Sequence, residues 1–201
     1  MKIAFQVEGP LDLVVLSILT GRILGTEIEV CKRERRPGGV AAVRATLVPV
    51  SWQFWKEGAQ GIVVVTDNDD QVPVHEVPHE GHAAEFGKQG CRYCDLVASL
   101  PTLPARPPLP PFKFAVGVAV QALEAWLLFG ADLVGKKREA QPERLPTGRL
   151  KQMLYATPEP RVAVCLKIST PTAKRLDLDA LALACPSFRF FQDSVLQLKD
   201  C

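Results

Sequence analysis

The chain has 201 residues, 47% of them hydrophobic, with 24 basic side chains against 22 acidic ones and a net charge of +2. That length supports one sizeable core, or one core with a small appendage, and the composition is that of a folded globular protein rather than a disordered one. Near-balanced charge means that composition alone does not announce a nucleic-acid binder, and no run of about 18 apolar residues exists to span a membrane.

Lys2–Val7 reads as a first strand. The chain enters it without a basic n-region or cleavage site, so no secretory signal and a cytoplasmic location are expected. Glu8-Gly9-Pro10 is a sharp exit, with Pro10 suited to the first turn of a helix. Leu11, Val14, Val15, Ile18 and Leu19 recur at helical spacing and predict an amphipathic helix to about Thr20. Ile28–Cys31 reads as a short second strand, followed by a charged loop to Gly39. Val40–Val48 fits helix or strand, and Ser51 could cap a short helix holding Trp52, Phe54 and Trp55 that ends near Gly58.

Gly61–Asp70, GIVVVTDNDD, is the most informative stretch. Ile62, Val63, Val64 and Val65 read as a strand buried on both faces, as in a parallel sheet. Asp67, Asp69 and Asp70 follow at once. Strand alternation points Asp67 and Asp69 the same way and Asp70 the other, toward a surface role. Two readings of these acids stand open: a Mg²⁺ or Mn²⁺ site, or a solvated acidic turn leaving a core strand.

Residues 71–112 form an insertion that turns helical toward Cys94–Leu100 and ends in a stiff connector, Pro101–Pro111, holding six prolines. Lys113–Val118 predicts another strand, running into a helix over Gln121–Phe129 whose Trp126 belongs to the core. Residues 131–201 then read as a helical extension of a single domain: a loop to Pro146, then helices from Thr147 or Gly148 to Tyr155, over Arg161–Ile168, over Leu178–Ala184, and from Pro186-Ser187 to about Leu198. Alternating strands and helices predict an α/β fold with a mainly parallel sheet flanked by helices.

Within the insertion, His79-x2-His82-x8-Cys91-x2-Cys94 offers four ligands to a structural Zn²⁺, with His75 as a substitute. A reduced loop without metal is the other reading; the remaining cysteines are too scattered to suggest disulfides. The basic runs Lys32-Arg33-Glu34-Arg35-Arg36 and Lys136-Lys137-Arg138 read either as solvated loops or as phosphate-binding patches.

In a parallel sheet the carboxyl ends of the strands share one rim, so Glu8 and nearby Asp12 can meet Asp67 and Asp69 there. Oxygen-only ligands favour Mg²⁺, Mn²⁺ or Ca²⁺, and the matching chemistry is phosphoryl transfer or phosphodiester cleavage. No G-x-x-x-x-G-K-[ST] or G-x-G-x-x-G follows a strand, the residue two after Asp69 is Gln71 rather than the Thr or Val of a haloacid-dehalogenase-type phosphatase, and the spacing fails an EF-hand.

Strand–Glu8-Gly9–helix followed by strand–Asp67-x-Asp69 resembles the Toprim domain of topoisomerases, primases and overcoming-lysogenization-defect (OLD-type) nucleases. Leu123-Glu124-Ala125-Trp126-Leu127-Leu128 after a strand, a lysine at Lys167, and Pro186-Ser187-Phe188 before a terminal helix resemble small stand-alone Toprim-like proteins of unknown function, often found beside ATPases in bacterial defence loci. The resemblance implies a nuclease subunit acting on nucleic acid in anti-phage defence with a partner ATPase. It implies Glu8 as general base, general acid or ligand, Asp67 and Asp69 as Mg²⁺ ligands, Asp12 and Glu124 as further acids, and Lys167 as a stabiliser of phosphate charge. For Glu124, complementing a helix dipole is the other reading, and for Lys167 an ordinary exposed side chain.

Overall fold

The structure, a computed structural model, describes residues 1–31, 39–68, 92–105, 111–131 and 142–200. Four strands, β1 (Lys2–Gln6), β2 (Glu29–Val30), β3 (Gly61–Asp67) and β4 (Lys113–Ala119), pair in the order β2-β1-β3-β4, every pair parallel. Ile3 lies opposite Gly61, and Gly61 in turn opposite Lys113, so the three longer strands start level.

Strand alternation divides the sheet between two cores. Ile3, Phe5, Val63, Val65, Ala115 and Ala119 face one of them. It is closed by α1 (Pro10–Leu24), α4 (Leu123–Gly130), α5 (Thr147–Tyr155), α6 (Val162–Arg175), α7 (Leu178–Ala184) and α8 (Pro186–Leu196). Ala4, Ile62, Val64 and Val116 face the other, under α2 (Val40–Lys56) and α3 (Arg92–Ala98). A run of four β-branched residues is stable in β3 because both faces are covered. The expected α/β fold with a mainly parallel sheet is present among the described residues.

Two expectations change. Residues 40–56 form one continuous helix, and Ser51 is no cap: it is buried inside α2 and its hydroxyl donates to the Leu47 carbonyl at 2.8 Å. The stripe Val43, Leu47, Val50 and Phe54, all buried, holds the helix together across Pro49, whose missing N–H costs one helical bond. Likewise α6 runs past the predicted Ile168, through Pro171, to Arg175. There the Arg22 guanidinium donates to the carbonyls of Ala173 (2.7 Å) and Leu176 (2.5 Å), satisfying groups that a helix end leaves open.

The outer edge of β4 is not left as a template for strand pairing. Its Val116 N–H donates to Ser194 Oγ at 2.9 Å, from α8 packed across the edge. Close approach of α8 depends on Gly117, where an added Cβ would lie 2.8 Å from Phe191 Cδ2 and 3.2 Å from its Cβ. Gly117→Val is expected to destabilise the fold by about 1–3 kcal/mol, as overpacking does. Chemical denaturation reads this, and an unchanged midpoint would contradict the packing of α8 on β4.

Candidate functional site

The strand order reverses between β1 and β3: from β1 the chain goes out to β2, and from β3 out to β4 on the opposite side. The crevice at the carboxyl ends of the two central strands is where open α/β sheets place ligands. Glu8 follows β1 and Asp67 ends β3, so the two acids arrive at that crevice from adjacent strands.

They are joined there. Glu8 Oε1 accepts the Asp67 backbone N–H at 3.0 Å. Asp67 Oδ1 accepts the N–H of Leu123 at 2.9 Å, so this carboxylate caps the first residue of α4 from 56 positions away. Its carbonyl accepts from the Arg92 guanidinium of α3. Gly39, at φ +77, starts α2, and a Cβ there would come within 4.0 Å of Glu8 Oε2. The positive φ and this approach bring the first turn of α2 up to the Glu8 carboxylate, where its exposed N–H ends favour negative charge.

Two more acids complete the group. Asp12 Oδ2 accepts the Gly9 N–H at 2.8 Å, holding the first turn of α1 against the exit from β1. Burial pushes the Asp12 carboxyl up to about 7 against the opposing Gly9 hydrogen bond; the charges of Glu8 and Glu124 add to the rise, and Lys151 works against it. Glu124, only 5% exposed, is also raised by burial, opposed by its own backbone N–H, by Lys151 and by Tyr155. Tyr155 shares a 2.9 Å hydrogen bond with Ser169 of α6, and burial first, then the Glu124 charge, pushes its phenol up.

Glu8, Asp12, Asp67 and Glu124 are thus gathered at one rim, as the sequence suggests. Asp69 and Asp70 lie outside the described residues, as do His75, His79, His82 and Cys91. Cys94 is buried on α3, and the described cysteines form no disulfide. Lys167 is exposed on α6, on the face away from buried Cys165 and Ser169. Among the described residues Lys151 is a cation whose charge favours ionised Asp12 and Glu124, and the sequence alone does not single it out. Lys151 and Tyr155 stand four apart on α5 and so share one face.

Pro186-Ser187-Phe188 has a packing role. Ser187 Oγ accepts Trp126 Nε1–H at 2.8 Å and donates to the buried Glu143 carboxyl, which burial raises. Trp126 stacks on Phe191 and meets Phe188 edge-on, so its expected place in the core is correct.

An oxygen-only donor set suits a hard divalent cation. Two buried oxygens close in sequence to the acids, Thr66 Oγ1 and Gln121 Oε1, have no hydrogen-bond partner among the described residues, and Gln121 holds φ +65 in the turn that delivers Glu124. Among the described residues no three carboxylate, imidazole or thiolate groups converge closely enough to hold an ion. A Mg²⁺ or Mn²⁺ centre on Glu8 and Asp67 therefore calls for Asp69 as well.

Asp67→Ala is expected to lose about 1 kcal/mol by uncapping α4, while Asp67→Asn keeps an acceptor and most of the stability. Equal melting temperatures for Asp67→Ala and wild type would deny the cap. A raised Asp12 carboxyl favours the fold while protonated, and this contribution is lost as pH rises from its ordinary 3.8 through about 7. In metal-free buffer, Asp12→Asn should gain on wild type by about 2–3 kcal/mol between about pH 5 and pH 8. A difference that stays flat over that range would refute the burial of this acid.

No helix among the described residues is long and apolar enough to cross a membrane. No known protein family matches the chain, and neither a characterised protein nor a solved structure matches it, so the functional reading rests on the sheet and the acids gathered at its rim.

Proposed function

We propose that the chain is a metal-dependent nuclease subunit of Toprim type that hydrolyses nucleic-acid phosphodiester bonds. The observation that carries this reading is the Glu8 carboxylate bonded to the Asp67 N–H across the point where the strand order reverses. Asp12 and Glu124 lie within electrostatic reach of each other beside it. An anionic pocket with no ion would repel a phosphate, and a hard divalent cation reverses that.

In this reading Glu8, Asp67 and Asp69 hold Mg²⁺ or Mn²⁺, which supplies activation of water and neutralisation of charge on phosphate oxygens. The chain's own groups do the rest. Backbone N–H groups and α4 fix the direction of the two carboxylates, so they are oriented before any ligand arrives. Lys151 offsets the charge of Asp12 and Glu124 from the α5 side and is the cation placed to meet phosphate charge, in the role the resemblance gave to Lys167. Work beside a partner ATPase in anti-phage defence rests on the resemblance alone.

A second reading is favoured by one observation. Both carboxylates have structural hydrogen bonds, which a non-catalytic nucleic-acid- or partner-binding module on this scaffold would also need.

Plasmid and single-stranded substrates incubated with the purified chain and Mg²⁺ or Mn²⁺ separate these. Glu8→Gln and Asp67→Asn keep the hydrogen-bond acceptors and remove the charge. Each should lower cleavage about a hundredfold or more while the fold survives. Cleavage untouched in both variants would reject the nuclease. Metal-independent binding without cleavage would support the module, and phosphate release from small phosphomonoesters would move the fold to a phosphatase.

A further inference from the structure

We propose that the outer face of α6, led by Lys167 and Lys174, grips the sugar–phosphate backbone of a nucleic acid; the inference rests on nucleic acid being the ligand of the rim. Lys167, Pro171 and Lys174 are exposed along one side of α6, while Cys165, Ser169, Thr172 and Ala173 are buried on the other. Seven residues of helix separate the two lysines by about 10 Å. Neither α5 nor α6 contains an acid. Residues 147–175 carry Arg149, Lys151, Arg161, Lys167, Lys174 and Arg175 against Glu159 alone, in a chain whose totals are 24 against 22, so the remainder is net acidic. The near-neutral total conceals a strongly one-sided segment.

That segment is both rigid and close to the rim. Arg22 pins the carboxyl end of α6 through Ala173 and Leu176. Cys165, two residues before Lys167, feels the charges of both Glu124 and Lys151. At its far end Lys174 borders an open groove of about 720 Å³ that it shares with Arg22, Ser17 and Thr26, with Glu27 as the acid there. A backbone lying along α6 would meet cations spaced along one face and reach the acids at the end where Cys165 sits.

An anionic membrane is the other polyanion such a helix could meet. Surface helices that bind membranes present an apolar stripe outward. Here the apolar side of α6 is spent on the core, and the exposed valines, Val162 and Val164, stand only at its first turn. Phosphate contacts by isolated lysines on a polar face fit nucleic acid better, because that affinity comes from counterion release rather than insertion.

The test is equilibrium binding of fluorescein-labelled duplex DNA and of a single-stranded RNA, with EDTA present so that nothing is cut. Lys167→Glu/Lys174→Glu is compared with Lys56→Glu/Lys199→Glu, which makes the same change in net charge at exposed positions on α2 and after α8. Circular dichroism confirms that each variant is folded. The α6 variant should weaken binding about tenfold or more and lower the slope of log affinity against log salt by about 2, while the control shifts both only slightly. Equal losses in the two variants, no loss in either, or wild type that binds neither probe would overturn the proposal. So would loss of binding to phosphatidylglycerol vesicles with nucleic-acid binding unchanged. A wild type that binds through α6 and yet cuts nothing would keep this surface and reject the nuclease; cutting and binding that survive the α6 reversal would do the opposite.

Discussion

The hydrogen bond from the Asp67 N–H to Glu8 Oε1 is where the fold and the candidate site become one object. Parallel strands β1 and β3 pair from Ile3 opposite Gly61 to Gln6 opposite Val64. Glu8 spans the gap with a side chain where the backbone ladder has ended. Asp67 repeats the device one strand further on, binding Leu123 at the start of α4. A carboxylate bridges the parting of β1 from β3 and that of β3 from β4, so negative charge collects along the rim as a consequence of how the sheet is terminated.

Such a collection is unfavourable unless something answers it, and the answers are graded by position. Glu8 has the Asp67 N–H and the first turn of α2; Asp12 has the Gly9 N–H; Glu124 has its own N–H, Tyr155 and Lys151. The least well answered is Asp12, where burial and two neighbouring acids outweigh the Gly9 bond and Lys151, so its carboxyl moves up to about 7. A buried acid raised further by acidic neighbours is the kind of group on which the proposed cation site rests.

Much of this was legible in the chain. Four β-branched residues before Asp67 demand two covered faces, and the sheet supplies them with separate cores. Glu8 and Asp67 were found because strand ends in a parallel sheet share a rim, a rule that needs no tertiary detail. What the sequence hid has one physical cause: contacts made between distant segments. Local propensity opposes Pro49 and Pro171 inside a helix, and the buried stripes of α2 and α6 outweigh it. The capping role of Asp67 depends on an N–H 56 residues later. Lys151 was overlooked because it is one lysine of several until the fold sets it beside Asp12 and Glu124.

Lys151 and Lys167 illustrate how distance assigns different work to the same residue type. Interactions between exposed charges fade over about 8–10 Å at ordinary salt, whereas burial greatly lengthens the reach of those beneath the surface. Lys151, half-buried on α5, lies within electrostatic reach of Asp12 and Glu124 and favours the charged form of both. Lys167, exposed on the outer side of α6, is too well solvated to do this and can act only on what comes to it from solution. A polyanion approaching the rim would feel net repulsion from the carboxylates until it lies within a screening length of compensating charge. In the proposed reading the lysines on α6 supply that compensation outside the rim, and Lys151 supplies it within. Charge that looks balanced when summed over 201 residues is unevenly placed: Glu8, Asp12, Asp67 and Glu124 stand at the rim, while residues 147–175 carry six bases against Glu159. It is this separation, rather than any excess of either sign, on which the proposed cation site and the proposed phosphate-gripping helix both depend.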